Sequence, residues 1–91
     1  MNVEERNEKI IEVVNVAIDK TRRQACEILR GVRKIAINDV INQALFILNI
    51  HEVEDIPIIL RSARRKISES APGMGYYLEE AAEKVAKLLK E

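Results

Sequence analysis

Apolar residues recur with the 3.6-residue period of an α-helix along the whole chain, and no segment shows the sustained alternation of a β-strand. Asn38 suits the N-cap of one helix, and Pro57 suits the first turn of the next. Residues 71–75, APGMG, form the clearest connection. The pattern predicts an all-α, compact five-helix bundle-like domain, with helices at about 3–18, 20–36, 39–50, 57–70 and 76–90.

The boundary at residues 19–21 is the weakest of the four, because DKT contains neither Gly nor Pro and the apolar phase continues from Ile10 to Ile35. An alternative is a three-helix form with one continuous helix over 3–36, about 50 Å long at 1.5 Å per residue. Such a helix would overhang a small globule and favour a dimer. We prefer a break with Asp19 as N-cap, which leaves helices of ordinary length.

Two heptapeptides, ILRGVRK at 28–34 and ILRSARR at 59–65, are identical at four of seven positions. With Asp55 and Pro57 ahead of the second copy, the helix-helix arrangement resembles HEAT-type helical-hairpin repeats. The resemblance implies an architecture and no function, and the 31-residue offset is shorter than the roughly 40–47 residues of those repeats. Chance similarity between two amphipathic helices is the competing explanation. The alignment of Gly31 with Ser62 predicts Gly31 inside a helix, at a cost of about 1 kcal/mol relative to Ala.

Length and composition indicate one domain over residues 1–91, with an aliphatic core and little aromatic content. Fifteen basic and fifteen acidic residues cancel, so no net field attracts nucleic acid or a membrane surface. Cys26 is the only cysteine and cannot form an internal disulfide. No apolar run reaches membrane-spanning length. We expect a soluble protein that is cytoplasmic, or recombinant only if it is designed. Its richness in Ile, Glu, Lys and Arg favours thermostability.

The basic residues are clustered. Residues 20–34 carry six basic side chains and one acidic one, and residues 61–66 carry four and none. Each cluster contains a trio spaced i, i+3, i+4, which places the trio on one face of a helix. Two adjacent trios would offer a surface for nucleic-acid phosphates. The competing interpretation is a solvated flank, since no aromatic residue is interleaved for base stacking. The candidate nucleic-acid-binding residues are Arg30, Arg33, Lys34, Arg61, Arg64 and Arg65.

Residues for catalysis or metal binding are sparse. His51 lies near Glu52, Glu54 and Asp55, but no pair has the spacing of a known metal site. Cys26 has nearby arginines but no base placed for it by the sequence. Tyr76 and Tyr77 suit the edge of a core better than a ligand cage. The sequence therefore predicts a protein that is not an enzyme and has no catalytic residues, cofactor or metal.

The C-terminal segment YYLEEAAEKVAKLLKE resembles the idealised helices of designed proteins, with an apolar stripe and i,i+4 ion pairs. The middle of the chain resembles native helical pieces, which indicates a de novo protein assembled from native-like elements or, alternatively, a natural protein. This resemblance implies a monomeric structural scaffold without an evolved ligand or partner. Two alternatives remain: a protein-interaction module with an apolar groove between helices, and a nucleic-acid binder. A homodimer is the alternative to the monomer.

Overall fold

A computed structural model describes all 91 residues and contains four α-helices, one 3-10 turn and no strand. The all-α class is therefore confirmed, whereas the expected number of five helices is wrong. The elements are α1 (Val3–Ile28), α2 (Gly31–Ile50), a 3-10 turn (Val53–Asp55), α3 (Ile56–Ser70) and α4 (Tyr76–Lys90). The expected starts and ends of α3 and α4 agree with the structure to within one residue.

α1 passes through residues 19–21 without a break, which corrects the predicted boundary. Asp19 lies inside this helix and does not cap one, and its carboxylate pairs with Arg23 one turn later at 2.9 Å. Thr21 is fully buried, and its hydroxyl donates a hydrogen bond to the Ala17 carbonyl at 2.8 Å. The helix begins instead at Asn2, whose side chain accepts a hydrogen bond from the Glu5 amide at 2.8 Å.

The chain breaks at Leu29 and Arg30, where both residues are extended, with ψ of 154° and 152°. Leu29 is buried, and Gly31 begins α2 with φ +59°, a conformation that disfavours any side chain. The prediction that Gly31 lies in mid-helix is wrong, and so is the alternative of a single helix over 3–36. From Gly31 the helix continues through Asn38, where the sequence predicted another boundary.

The helices are arranged in the spatial order α1, α4, α3, α2, because α4 packs between α1 and α3, and α2 packs chiefly on α3. Contacts between α1 and α2 are few, and one of them is a 2.8 Å hydrogen bond from Arg22 to Asn42. α2 is therefore an edge helix. The resulting body is elongated, with extents of 44 × 21 × 16 Å.

The core is aliphatic, as the composition predicted, and is built mainly by α1, α3 and α4. The apolar stripes expected for α3 and α4 are confirmed, with Leu60, Ile67, Leu78 and Val85 almost completely buried. The predictions differ from the structure in the first half of α1 and around the break. Five residues expected on buried faces are exposed instead: Val3, Ile11, Ile28, Val32 and Ile35.

The connection between α3 and α4 is tightly packed. Met74 is buried, and its carbonyl accepts a hydrogen bond from the Ser68 hydroxyl at 3.2 Å. Gly75 has φ +92°, and a Cβ at this position would lie 3.1 Å from Arg64 Cγ. Backbone conformation and close packing both require glycine here, so this turn fixes how α4 returns against α3.

Replacing Gly31 with Ala distinguishes a helix interior from the observed break. If Gly31 lay in mid-helix, this substitution would stabilise the folded protein by about 1 kcal/mol. The positive φ predicts destabilisation by about 1–2 kcal/mol instead, because an L side chain clashes in this region. Denaturant unfolding measures the sign. Ser62→Ala, at the aligned position inside α3, is the matched control and should change stability by less than about 0.7 kcal/mol.

Candidate interaction surface on α2 and α3

α2 is apolar on two faces. Its inner face buries Ile37, Ile41 and Ala44 in the core. Its outward face carries four further apolar side chains whose exposed fractions are 61–82%, and we call them the outer stripe: Val32, Ile35, Phe46 and Ile50. Apolar and polar positions are less segregated around α2 than around any other helix of the chain. A helix that is apolar all round is normally covered on all sides.

A cleft of about 190 Å³ lies between α2 and α3, next to the outer stripe. Six of its nine lining residues are hydrophobic: Val40, Ala44, Ile47, Ile58, Ile59 and Ala63. A shallower hollow on α2, lined by Asn42, Gln43, Phe46 and Ile47, shares Gln43 and Ile47 with the cleft. Phe46 adjoins the cleft residue Ile47, so this end of the outer stripe is continuous with the cleft, whereas Val32 and Ile35 lie beyond the polar residues Asp39 and Gln43. We call the outer stripe, together with Ile47, Ile58 and Ile59, the α2–α3 surface.

A second cleft of about 210 Å³ lies between α1 and α4 and has a different character. Four of its nine lining residues are charged: Glu12, Lys20, Glu80 and Lys84. Lys84 pairs with Glu80 at 3.3 Å, and the Lys20 ammonium lies 5.5 Å from the centre of the Tyr77 ring. Most of these charges are matched within the chain, so this cleft is less suited than the α2–α3 surface to bind an apolar group.

Tyr76 and Glu80 lie one turn apart on α4 and shift each other's pKa. A hydrogen-bonding interaction with the Glu80 carboxylate, together with its negative charge, raises the pKa of Tyr76. The same interaction, followed by the hydrogen bond to Lys84, lowers the pKa of Glu80 below its ordinary value of 4.5. Tyr76 is exposed, and Glu80 is half-buried at the edge of the α1–α4 cleft, one turn further along α4.

The first basic trio does not lie on one helix face. Arg30 is in the extended connection before α2, whereas Arg33 and Lys34 are in its first turn. Arg33 Nε donates a hydrogen bond to the Ser70 carbonyl at the end of α3, at 3.1 Å. This contact fastens the start of α2 to the end of α3, because it satisfies a carbonyl that the helix leaves free.

The second trio lies on α3 and is split between a neighbour and solvent. Arg61 Nε is 3.5 Å from Glu79 on α4, and Arg64 packs along Gly75. These two side chains point toward α4, which is the side of α3 away from α2, and Arg65 is exposed. The members of each trio therefore have different surroundings, and nucleic-acid binding by the six basic residues stays a prediction.

The residues considered for metal or thiol chemistry are dispersed. His51 Nδ1 lies 3.6 Å from Asp55, and no group of three potential metal ligands exists in the chain. Cys26 is exposed rather than a core filler. Tyr76 is exposed, and Tyr77 packs against the core as expected for a core-edge aromatic.

The α2–α3 surface was missed because the sequence pattern assigned Val32 and Ile35 to the buried face of a helix over 20–36. A signal was nevertheless present. Residues 32–50 contain more apolar positions than one buried face of a helix can use, and Phe46 falls outside the stripe formed by Ile41, Ala44 and Leu48. Excess apolar residues in one helix therefore indicate a second contact face.

Comparison of the chain with family models, with curated proteins and with solved structures finds no match. No helix is both long enough and apolar enough to cross a membrane. The resemblances to HEAT-type repeats and to designed helical proteins stay predictions.

A gel-shift assay with duplex DNA and single-stranded RNA tests the basic trios. We expect no retained complex at about 150 mM salt, because phosphate binding by a few separated cations falls steeply with salt concentration. A complex that persists at this salt concentration, and is lost when Arg61, Arg64 and Arg65 are replaced by Ala, would restore the hypothesis of a basic surface.

The interaction of Tyr76 with Glu80 predicts a pH effect of defined sign. Because the folded-state pKa of Glu80 is lowered, its contribution favours the folded state above the ordinary pKa of 4.5 and disappears as the pH falls through the folded value. Tyr76→Phe should raise the Glu80 pKa in an NMR titration of the side-chain carboxyl. Tyr77→Phe is the matched control, and an equal effect of both changes would contradict the assignment.

Proposed function

We propose that this chain is a protein-interaction module whose α2–α3 surface receives an apolar helix of a protein partner. The observation that carries the proposal is the position of α2, an edge helix that is apolar on its exposed face as well as its buried one. Contiguous exposed apolar patches on soluble proteins mark interaction sites, whereas single exposed apolar residues do not.

The composition of the surface supports a protein partner. Phe46 is the only phenylalanine of the chain and lies near the junction of the outer stripe and the cleft. Buried aromatic anchors dominate the binding free energy of protein interfaces, and charged residues are depleted from interface centres. Within the outer face of α2 the only charge is Asp39, and Lys66 lies at the edge of the cleft.

The free energy of association favours an extended apolar partner over a small ligand. Complete burial of one large apolar side chain contributes about 1.5–3 kcal/mol, whereas association costs about 4–15 kcal/mol in lost freedom. Several side chains must therefore be covered together. A helix that lies along α2 can cover Phe46, Ile50 and Ile58 simultaneously, since helix surfaces present ridges that fit grooves between helices.

The competing proposal is the predicted role as a scaffold without a partner. Cytoplasmic location and high thermal stability are further predictions that are compatible with either role. Phe46 and Ile58 weigh against the scaffold role, because their exposure on adjacent helices creates a surface that an idealised monomer would avoid. We accordingly propose a non-catalytic protein without a cofactor. The role of its helical framework is to present the α2–α3 surface.

An affinity capture assay tests this function with tagged wild-type chain and two variants. The partner is supplied either by a cell lysate or by untagged copies of the chain. The double variant Phe46→Ser, Ile58→Ser should bind it with an affinity lower by at least about tenfold, which corresponds to 1.4 kcal/mol of lost binding free energy. Its circular dichroism should be unchanged, because both side chains are exposed. Ile11→Ser removes an exposed apolar residue of α1 and is the matched control. Equal capture by all three chains would contradict the proposal.

A further inference from the structure

The outward face of α2 is nearly symmetric about the level of Ile41. Residues equally far before and after this level match in character: Val32 with Ile50, Ile35 with Ile47, and Ala36 with Phe46. Asp39 and Gln43 match as the polar pair in the centre. All of these residues lie within a sector of about 120° of the helix at 100° per residue. Such a face is complementary to an antiparallel copy of itself.

We propose that the occupant of the α2–α3 surface is a second copy of this chain, with the two α2 helices antiparallel about a twofold axis at the level of Ile41. This inference rests on the proposed interaction function and specifies its partner. A twofold interface uses the same patch on both subunits, so self-complementarity of the patch is the condition that it must meet. The apolar ends then cover each other, and small Ala36 of one copy receives Phe46 of the other.

The charges select the antiparallel arrangement. A parallel pair in register would place the two Asp39 carboxylates against each other, which is unfavourable. In the antiparallel pair each Asp39 lies across from the Gln43 amide, which can donate a hydrogen bond to the carboxylate. Opposed helix dipoles favour the same orientation.

The ends of α2 are also complementary. Arg30 directly precedes the helix and Glu52 follows it, and neither has an ion-pair partner within the chain. Antiparallel pairing brings Arg30 of one copy to the same end as Glu52 of the other, since both lie eleven residues from Ile41. Opposite charges therefore lie at the same end of the apolar contact at both of its rims, where they would contribute to register more than to affinity.

Cross-linking tests the arrangement directly. In a Cys26→Ser background, Val32→Cys and Ile50→Cys chains are prepared separately and oxidised alone or as an equal mixture. The mixture should give a covalent heterodimer, because the two positions face each other across the axis. Each chain alone should not, because the two equivalent cysteines of its homodimer would lie 18 residues, about 27 Å, apart along the helix axis, and a disulfide requires Cα atoms within about 7 Å. Equal cross-linking of single chains would overturn antiparallel pairing.

Sedimentation equilibrium of the wild-type chain provides a second measurement. We expect a monomer–dimer equilibrium with a dissociation constant on the order of 10 µM, as for small interfaces. Phe46→Glu should weaken it at least about a hundredfold, whereas Ile11→Glu, an exposed change on α1, should leave it unaltered. A monomer at all concentrations would overturn self-association. If that monomer still captures a lysate protein through Phe46 and Ile58, the interaction function stands and only the identity of its partner changes.

Discussion

The break at Leu29, Arg30 and Gly31 is the constraint on which the arrangement of α2 depends. Leu29 is buried while the backbone around it is extended, so the chain leaves α1 with an anchored side chain. Gly31 then starts α2 at φ +59°, which a residue with a side chain rarely adopts. This local geometry sends α2 to the edge of the bundle, against α3, and turns Val32 and Ile35 outward.

Much of the fold was predictable where local signals agree with tertiary packing. α3 and α4 carry a clean apolar stripe, and APGMG separates them with residues that cannot continue a helix. The first half of the chain lacks such agreement. Its apolar phase continues across the true break, and burial of Leu29 is a tertiary event that periodicity does not record. Gly31 was misassigned because an alignment with Ser62 outweighed its own conformational freedom.

The basic trios show why charge spacing alone is a weak guide to a binding surface. The i, i+3, i+4 rule holds only within a continuous helix, and Arg30 lies outside one. Arg33 and Arg61 each have a structural contact, with the Ser70 carbonyl and the Glu79 carboxylate. The exposed Arg61–Glu79 ion pair contributes little to stability by itself, and both contacts join neighbouring helices.

The outer face of α2 presents a physical conflict between folding and solubility. For the isolated chain, polar residues at Phe46 and Ile50 would cost no core packing and would reduce exposed apolar area. A helix that keeps apolar side chains at these positions gains stability from them only when another surface covers them. The edge position of α2 allows such coverage without rearrangement, because α1 contacts it little and α3 occupies one flank. The same helix therefore closes the core with Ile37 and Ile41 and leaves Phe46 and Ile50, on its opposite face, exposed for the proposed partner.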